Sequence, residues 1–225
     1  MPEYQLRFMI HPEQCSYKNM AIDESLLRYV NETGQPVLRC YGWADASVSI
    51  GYFQKAEEVV PEGRSFVRRY TGGGLVDHRA DHTYSIIVPQ GHPIYAMGTA
   101  SSYAKIHEAI AQSLHELGVA NTLANDCSES ESPACFQKPV KFDVVAGTDK
   151  LAGAAQRRNK LGCLHQGSIL VPELDKEELH KALLRNLLPL LAKAWETSSM
   201  SAQERAKADY LTRQRYSTYM WNYSR

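Results

Sequence analysis

The chain has 225 residues, with 25 basic and 25 acidic side chains and five cysteines. A balanced charge argues against a general binder of nucleic acids or membrane surfaces, and no apolar stretch approaches the roughly 20 residues that cross a bilayer. The first ten residues lack the basic start and long apolar run of a signal peptide. We therefore predict a cytoplasmic protein with reduced thiols, no nucleic-acid partner and no membrane partner.

The hydrophobic pattern predicts an α+β domain. In chain order we expect a strand at 4–10, a helix with Asn19 as its N-cap and its end at Gly34, strands at 37–43, 47–53, 66–70 and 83–89, a helix ending at Gly118, three antiparallel strands between 142 and 171, and helices at 175–192 and 201–215. Strands and helices do not alternate regularly, which excludes a doubly wound sheet. Since no repeat or linker divides the chain, we expect a single domain over residues 1–225.

Three consecutive glycines follow two arginines in the segment FVRRYTGGGLVDH (66–78). A glycine run can mark a strand corner that needs positive φ. It can also form a cradle, because its backbone N–H groups can approach an anion or a carbonyl. Arg68 and Arg69 favour the cradle, although neighbouring strand residues point to opposite faces, so at most one of them reaches a ligand. The segment fits neither the phosphate-loop nor the dinucleotide-binding motif.

Lys150 opens a second unusual segment, KLAGAAQRR (150–158). A solvated turn lysine is one interpretation. The other is a positioned ammonium that binds a phosphate or polarises an acyl carbonyl, with small neighbours leaving room for an extended apolar ligand. No cluster of His, Cys, Asp or Glu has metal-ligand spacing, and we predict no bound metal.

Five blocks of the sequence resemble, in order, those of the lipoate/octanoate protein ligase and transferase superfamily. They are NMAIDESLL, SVSIGYFQ, RRYTGGGLVDHRADHTYS, KLAGAAQRR and LHQGSIL, from about residue 19 to residue 172. The resemblance implies the class II biotin/lipoyl protein ligase-like fold, a mixed and mostly antiparallel sheet flanked by helices. It also implies an acyl-binding tunnel, with Lys150 catalytic and a set of substrate-binding residues: Arg69, Gly72, Gly73, Gly74, His78, Gly153 and Ala154.

The resemblance points to the cysteine-dependent octanoyltransferases. Cys135 stands in the position of their nucleophile, and Asp143 is kept from a ligase segment whose Gly-Arg-Asn is absent here. The implied reaction moves octanoyl (or lipoyl) from acyl carrier protein, through a thioester on Cys135, to a lysine of a lipoyl domain or glycine-cleavage H protein. This reaction requires no cofactor.

Two alternatives remain. An ATP-dependent lipoate–protein ligase would use ATP and Mg²⁺, and the Gly-Gly-Gly spelling of the loop is commoner in ligases. The expected lack of a separate C-terminal accessory domain favours a transferase, but a two-component ligase carries that domain on another chain. A non-catalytic carrier-binding homologue is the other alternative, against which the intact glycine loop and Lys150 argue. The donor group, the acceptor, the oligomeric state and the order of segment 125–135 stay open at this stage.

Overall fold

The computed structural model describes residues 3–125 and 139–223, which form two sheets and the helices around them. The strands are β1 (Gln5–Ile10), β2 (Val37–Tyr41), β3 (Val48–Ile50), β4 (Phe66–Arg68), β5 (Val76–Asp77), β6 (His82–Val88), β7 (Thr122–Leu123), β8 (Val144–Ala146), β9 (Asp149–Asn159), β10 (Gly162–Ile169) and β11 (Ala194–Thr197). The helices are α1 (Ser16–Thr33), α2 (Ala56–Val59), α3 (Pro93–Ala96), α4 (Thr99–Glu116), α5 (Lys176–Leu191), α6 (Ala202–Leu211) and α7 (Tyr219–Tyr223), with a π-helical turn (Thr212–Tyr216) after α6.

The larger sheet has the strand order β11-β1-β2-β6-β10-β9-β8-β7, and the smaller has the order β4-β3-β5. In the larger sheet β1 pairs in parallel with β2 and β11, and the other neighbours are antiparallel. The predicted α+β class and its mixed, mostly antiparallel sheet are therefore confirmed. The long hairpin of β9 and β10 occupies the middle of this sheet and carries the KLAGAAQRR and LHQGSIL segments.

Amphipathic helices bury the sheet on both faces. On α1 the apolar side chains recur at helical spacing and pack with strand residues such as Met9 and Ile87. On α4, Ile106, Ile110 and Leu114 share one stripe and join a second cluster with the leucines of α5. Over the described residues, no helix is both long and apolar enough to cross a membrane.

The predicted start of α1 is wrong. The helix begins at Ser16, and Asn19 lies inside it, fully buried. The Asn19 amide donates to the carbonyl of Gly42 (2.9 Å) and its oxygen accepts from Arg39 (2.7 Å). An asparagine favours an N-cap because its side chain can satisfy a free backbone N–H, but here tertiary partners satisfy it instead.

Candidate active site

A cavity of about 250 Å³ with predominantly apolar walls lies between residues of both sheets. Its lining includes most of the residues that the sequence singled out: Arg69, Gly73, Gly74, His78, Lys150, Gly153 and Ala154. Apolar residues such as Met20, Tyr41 and Val76 complete the wall. The fold thus brings the glycine loop (residues 72–74) and the Lys150 segment to one cavity, although about 80 positions separate them in the sequence.

One described residue of the predicted set, Gly72, is not part of this lining. Gly72 contributes its carbonyl, which accepts a hydrogen bond from Arg69 (2.9 Å), and lies beside the cavity. Cys135 lies outside the described residues, so its role as nucleophile stays a prediction.

Arg69 holds the glycine loop against the smaller sheet. Its guanidinium donates to the carbonyl and hydroxyl oxygens of Ser49 (2.9 and 2.7 Å) and to the carbonyls of Gly72 and Gly74 (2.9 and 2.7 Å). Burial lowers the pKa of Arg69 to about 10, which leaves the group cationic at neutral pH. A fixed positive charge therefore lies at the cavity wall.

Arg68 points to the opposite face, as the alternation of a strand predicts. It is fully buried and donates to the carbonyls of Gly51, Gln54, Trp221 and Asn222, among other contacts. These bonds clamp α7 onto β4, next to the glycine loop. One arginine of the pair therefore faces the cavity, and the other anchors the C-terminal helix.

Lys150 is held by a buried carboxylate. Its ammonium lies 2.8 Å from Oδ2 of Asp143, whose side chain is fully buried. Asp143 also accepts from the hydroxyl of Tyr103 and from the N–H of Val140 (2.8 Å). Burial and the Asp143 charge raise the pKa of Tyr103, so this phenol stays a donor. A charge-assisted network of this kind fixes the ammonium in one orientation.

Gly153 makes room for the Lys150 side chain. A Cβ at residue 153 would lie 2.1 Å from Cε of Lys150 and 2.4 Å from its Nζ, so a larger residue would displace the ammonium. The sequence suggested small neighbours as space for a ligand. The structure shows that Gly153 also serves the lysine itself.

No functional role was predicted from the sequence for four polar residues of this region: Ser49, Asp81, Tyr103 and Asp143. Asp143 had a signal, since it is the acidic residue kept from the ligase-type segment. Ser49 had a weaker one, because it alternates between the buried apolar residues Val48 and Ile50 and must therefore face away from their cluster.

Close backbone approach explains the glycine at position 51. A Cβ there would lie 1.9 Å from the carbonyl oxygen of Gly73, so the backbone of the glycine loop would have to move. We expect Gly51→Ala to lower kcat/KM of the reaction that takes place in this cavity roughly 100-fold, because a misplacement of about 1 Å in a positioning group can cost that much. Steady-state kinetics measure this loss. Gly91→Ala is the control, because a Cβ at residue 91 meets only the hydroxyl oxygen of Tyr4, at 3.6 Å. Equal rates for the two variants would contradict the role of the close approach.

Two buried histidines lie behind Lys150 and Asp143. His107 donates from Nδ1 to the carbonyl of Phe142 (2.8 Å), which precedes Asp143. Its ring lies 5.7 Å from that of His165, which is also fully buried. Burial lowers the pKa of His107 to about 4 and lowers that of His165 as well. Both imidazoles are therefore neutral in the folded protein at physiological pH.

This burial predicts acid sensitivity. His107 accepts a proton near pH 6.5 when unfolded but only near pH 4 when folded, so its stabilisation is fully present above pH 6.5 and is lost as the pH falls toward 4. Between pH 7 and pH 5 we expect a loss of about 2 kcal/mol in the free energy of unfolding from this residue. Urea denaturation of the wild type and of His107→Gln at both pH values measures this change in the free energy of unfolding. The exposed His115→Gln should keep the wild-type pH dependence, and an unchanged dependence in His107→Gln would contradict the prediction.

The family model of the lipoyl protein ligase A/B catalytic domain matches residues 16–193. The chain belongs to this family. The match covers the smaller sheet, the larger sheet except β1 and β11, and the whole cavity lining, and it confirms the superfamily predicted from the five sequence blocks.

Curated relatives of the family include octanoyltransferases. The octanoyltransferase LipM of Brevibacillus brevis is 36% identical over 194 residues, which cover 80% of this chain and 70% of the relative. That of Moorella thermoacetica is 38% identical over 194 residues, covering 81% and 71%. These relatives support the predicted class of enzyme, an acyltransferase.

Solved structures confirm the fold. A putative lipoate protein ligase from Thermoplasma acidophilum superposes with a TM-score of 0.82 at 27% identity, covering all of both chains. A lipoate-protein ligase A bound with ATP superposes with a TM-score of 0.79 at 27% identity, covering 98% of each chain. The chain thus shares its fold with lipoate protein ligases and is similar in sequence to octanoyltransferases.

Proposed function

We propose that this protein is an octanoyltransferase of protein lipoylation. It takes an octanoyl (or lipoyl) group from acyl carrier protein and transfers it to a lysine of a lipoyl domain or glycine-cleavage H protein. The observation that carries the proposal is the apolar cavity, in whose wall Asp143 holds the ammonium of Lys150. The chain is also 36–38% identical to curated octanoyltransferases. We further propose that residues 1–225 act as a single catalytic domain.

Two half-reactions account for the transfer. In the first, the thiolate of Cys135 attacks the carbonyl carbon of the donor thioester, the bond to the carrier sulfur breaks, and the carrier leaves as a thiolate that takes up the proton lost by the Cys135 thiol. The Lys150 ammonium stabilises the negative charge that develops on the carbonyl oxygen, and it costs no reorganisation because Asp143 already holds it. The apolar wall takes the acyl chain.

In the second half-reaction the amine of the acceptor lysine attacks the acyl-Cys135 thioester. An amide forms, the carbon–sulfur bond to Cys135 breaks, and the thiol is regenerated. An amide is more stable than a thioester, so this step needs no ATP. The whole reaction therefore proceeds without a resident cofactor.

A lipoate–protein ligase is the second candidate function, because ligase structures match this chain over nearly its whole length. One of them is described as a bi-partite ligase, with a TM-score of 0.76 at 25% identity. In that reaction ATP and Mg²⁺ would activate a free acid, and Lys150 with the glycine loop would face the phosphate of the acyl-adenylate. Among residues 3–125 and 139–223, no group of three His, Cys, Asp or Glu side chains is placed to hold a metal ion.

Intact-protein mass spectrometry tests the thioester route. The purified protein is mixed with octanoyl-acyl carrier protein in the absence of ATP, beside the variant Cys135→Ala. We expect an octanoyl adduct on the wild type that hydroxylamine removes and that the variant does not form. A wild type that stays unmodified would contradict the route, and the ligase would then be tested with free lipoate and ATP.

A further inference from the structure

Ser49, His78 and Asp81 form a hydrogen-bonded array at the wall of the cavity. The hydroxyl of Ser49 lies 2.6 Å from Nε2 of His78, and Nδ1 of His78 lies 2.8 Å from Oδ2 of Asp81. Ser49 and His78 both line the cavity that also contains Lys150. The order of contacts, from hydroxyl to imidazole to carboxylate, is that of a serine nucleophile with its base and orienting acid.

The surrounding hydrogen bonds select one proton arrangement. Oδ2 of Asp81 accepts from the hydroxyls of Ser168 (2.7 Å) and Thr83 (3.0 Å) in addition to facing Nδ1 of His78, and an oxygen that only accepts is that of a carboxylate. In the neutral imidazole that a general base requires, Nδ1 of His78 then carries the proton toward Asp81, and Nε2 accepts. The Ser49 hydroxyl therefore donates to Nε2, which is the arrangement that a general base requires.

Two further contacts suit this array to nucleophilic attack. The indole of Trp43 stacks on the His78 ring, with 3.7 Å between the ring centroids and 13° between the planes, and so fixes the imidazole. The Arg69 guanidinium donates to the Ser49 hydroxyl oxygen at 2.7 Å, where its charge stabilises the negative charge that develops as the proton leaves.

We propose that Ser49, His78 and Asp81 form a second acyl-accepting site, which hydrolyses acyl esters and thioesters that enter the cavity. The Ser49 oxygen attacks the acyl carbonyl and the carbon–sulfur or carbon–oxygen bond of the donor breaks. The serine proton passes through Nε2 of His78 to the leaving group. Water then attacks the acyl-Ser49 ester, His78 takes its proton and returns it to the Ser49 oxygen, and a free fatty acid leaves.

This activity would give the enzyme a route to release an acyl group that no acceptor takes. It uses the acyl cavity of the proposed function but not Cys135. The two proposals can therefore fail separately. All tests are made in the Cys135→Ala variant, so that acyl transfer to Cys135 contributes nothing.

The test combines a probe and a substrate. An octyl fluorophosphonate reacts with activated serines, and peptide mass spectrometry locates its adduct, while p-nitrophenyl octanoate reports hydrolysis by absorbance. We expect the probe on Ser49 in Cys135→Ala and neither adduct nor hydrolysis above background after the further change Ser49→Ala. Asp81→Asn should lower the rate of hydrolysis at least 100-fold, because it removes the anion that orients the imidazole.

Ser113→Ala, added to Cys135→Ala, is the matched control. Ser113 is also fully buried, but its hydroxyl donates to the carbonyls of Ala109 and Ala182, away from the cavity. This variant should label and hydrolyse as Cys135→Ala does. The proposal is overturned if the probe leaves Ser49 unmodified in folded Cys135→Ala, or if hydrolysis survives Ser49→Ala. The array would then serve only to hold Arg69 against the glycine loop.

Discussion

Lys150→Met should lower kcat/KM of octanoyl transfer about 100- to 1,000-fold, which is the usual cost of removing one group that stabilises a developing oxyanion. The side chain has only 9% of its surface exposed and its ammonium lies 2.8 Å from Asp143, so its charge acts with little screening by solvent. Methionine keeps the apolar stem and removes the charge. Steady-state transfer from octanoyl-acyl carrier protein to an apo lipoyl domain measures the effect.

The same substitution leaves Asp143 as a buried carboxylate without the Lys150 charge, so we also expect a less stable protein. The double variant Lys150→Met/Asp143→Asn separates the two effects. It should recover most of the lost free energy of unfolding, because a neutral amide can still accept from Tyr103, and should remain as inactive as the single variant. Recovery of activity in the double variant would show that Lys150 serves stability and not chemistry.

Arg39→Leu should lower the free energy of unfolding by about 3–5 kcal/mol, the usual cost of breaking a buried ion pair by removing one partner. Arg39 and Asp23 lie 2.6 Å apart and both side chains are fully buried. Asp23 also accepts from Gln166 (2.7 Å), whose oxygen accepts from the hydroxyl of Thr71 (2.7 Å), just before the glycine loop. The pair therefore supports both α1 and the cavity wall.

Urea denaturation of Arg39→Leu, beside Arg185→Leu, measures this contribution. Arg185 pairs with Glu116 at 2.8 Å, but 65% of the arginine side chain is exposed. Its loss should cost no more than about 1 kcal/mol, because solvent screens the charges. Similar losses in both variants would contradict the importance of burial.

The spacing of apolar residues and the positions of helix-ending glycines were sufficient to predict the long helices and strands. The stripe of Ile106, Ile110 and Leu114 predicted α4, and Gly34 in the left-handed region ends α1 as expected. The edge strand β11 was not predicted, because its four residues are all exposed and show no alternation of buried and exposed side chains. Its partner β1 is distant in sequence, so only tertiary pairing reveals it.

The candidate site was predictable where backbone or charge demanded an unusual residue. Three glycines and a lysine among small residues pointed to the cavity, and the alternation of Arg68 and Arg69 predicted that only one would face it. The partners behind these groups were not predictable. Tyr103 donates to Asp143 behind Lys150, and Ser49 meets His78, only because β3, α4 and β9 come together in the fold, and polar residues of these types are common in any sequence.

A single-turnover assay of acyl transfer distinguishes a thioester donor from an acyl-adenylate. The protein is mixed with an apo lipoyl domain and either octanoyl-acyl carrier protein without nucleotide, or free octanoate with ATP and Mg²⁺, and the acylated lysine is measured by mass spectrometry. We expect an octanoylated lipoyl domain from the thioester donor alone, and no product with Cys135→Ala. Product formed only from the free acid with ATP would contradict this expectation, because the cavity and Lys150 would then serve an acyl-adenylate.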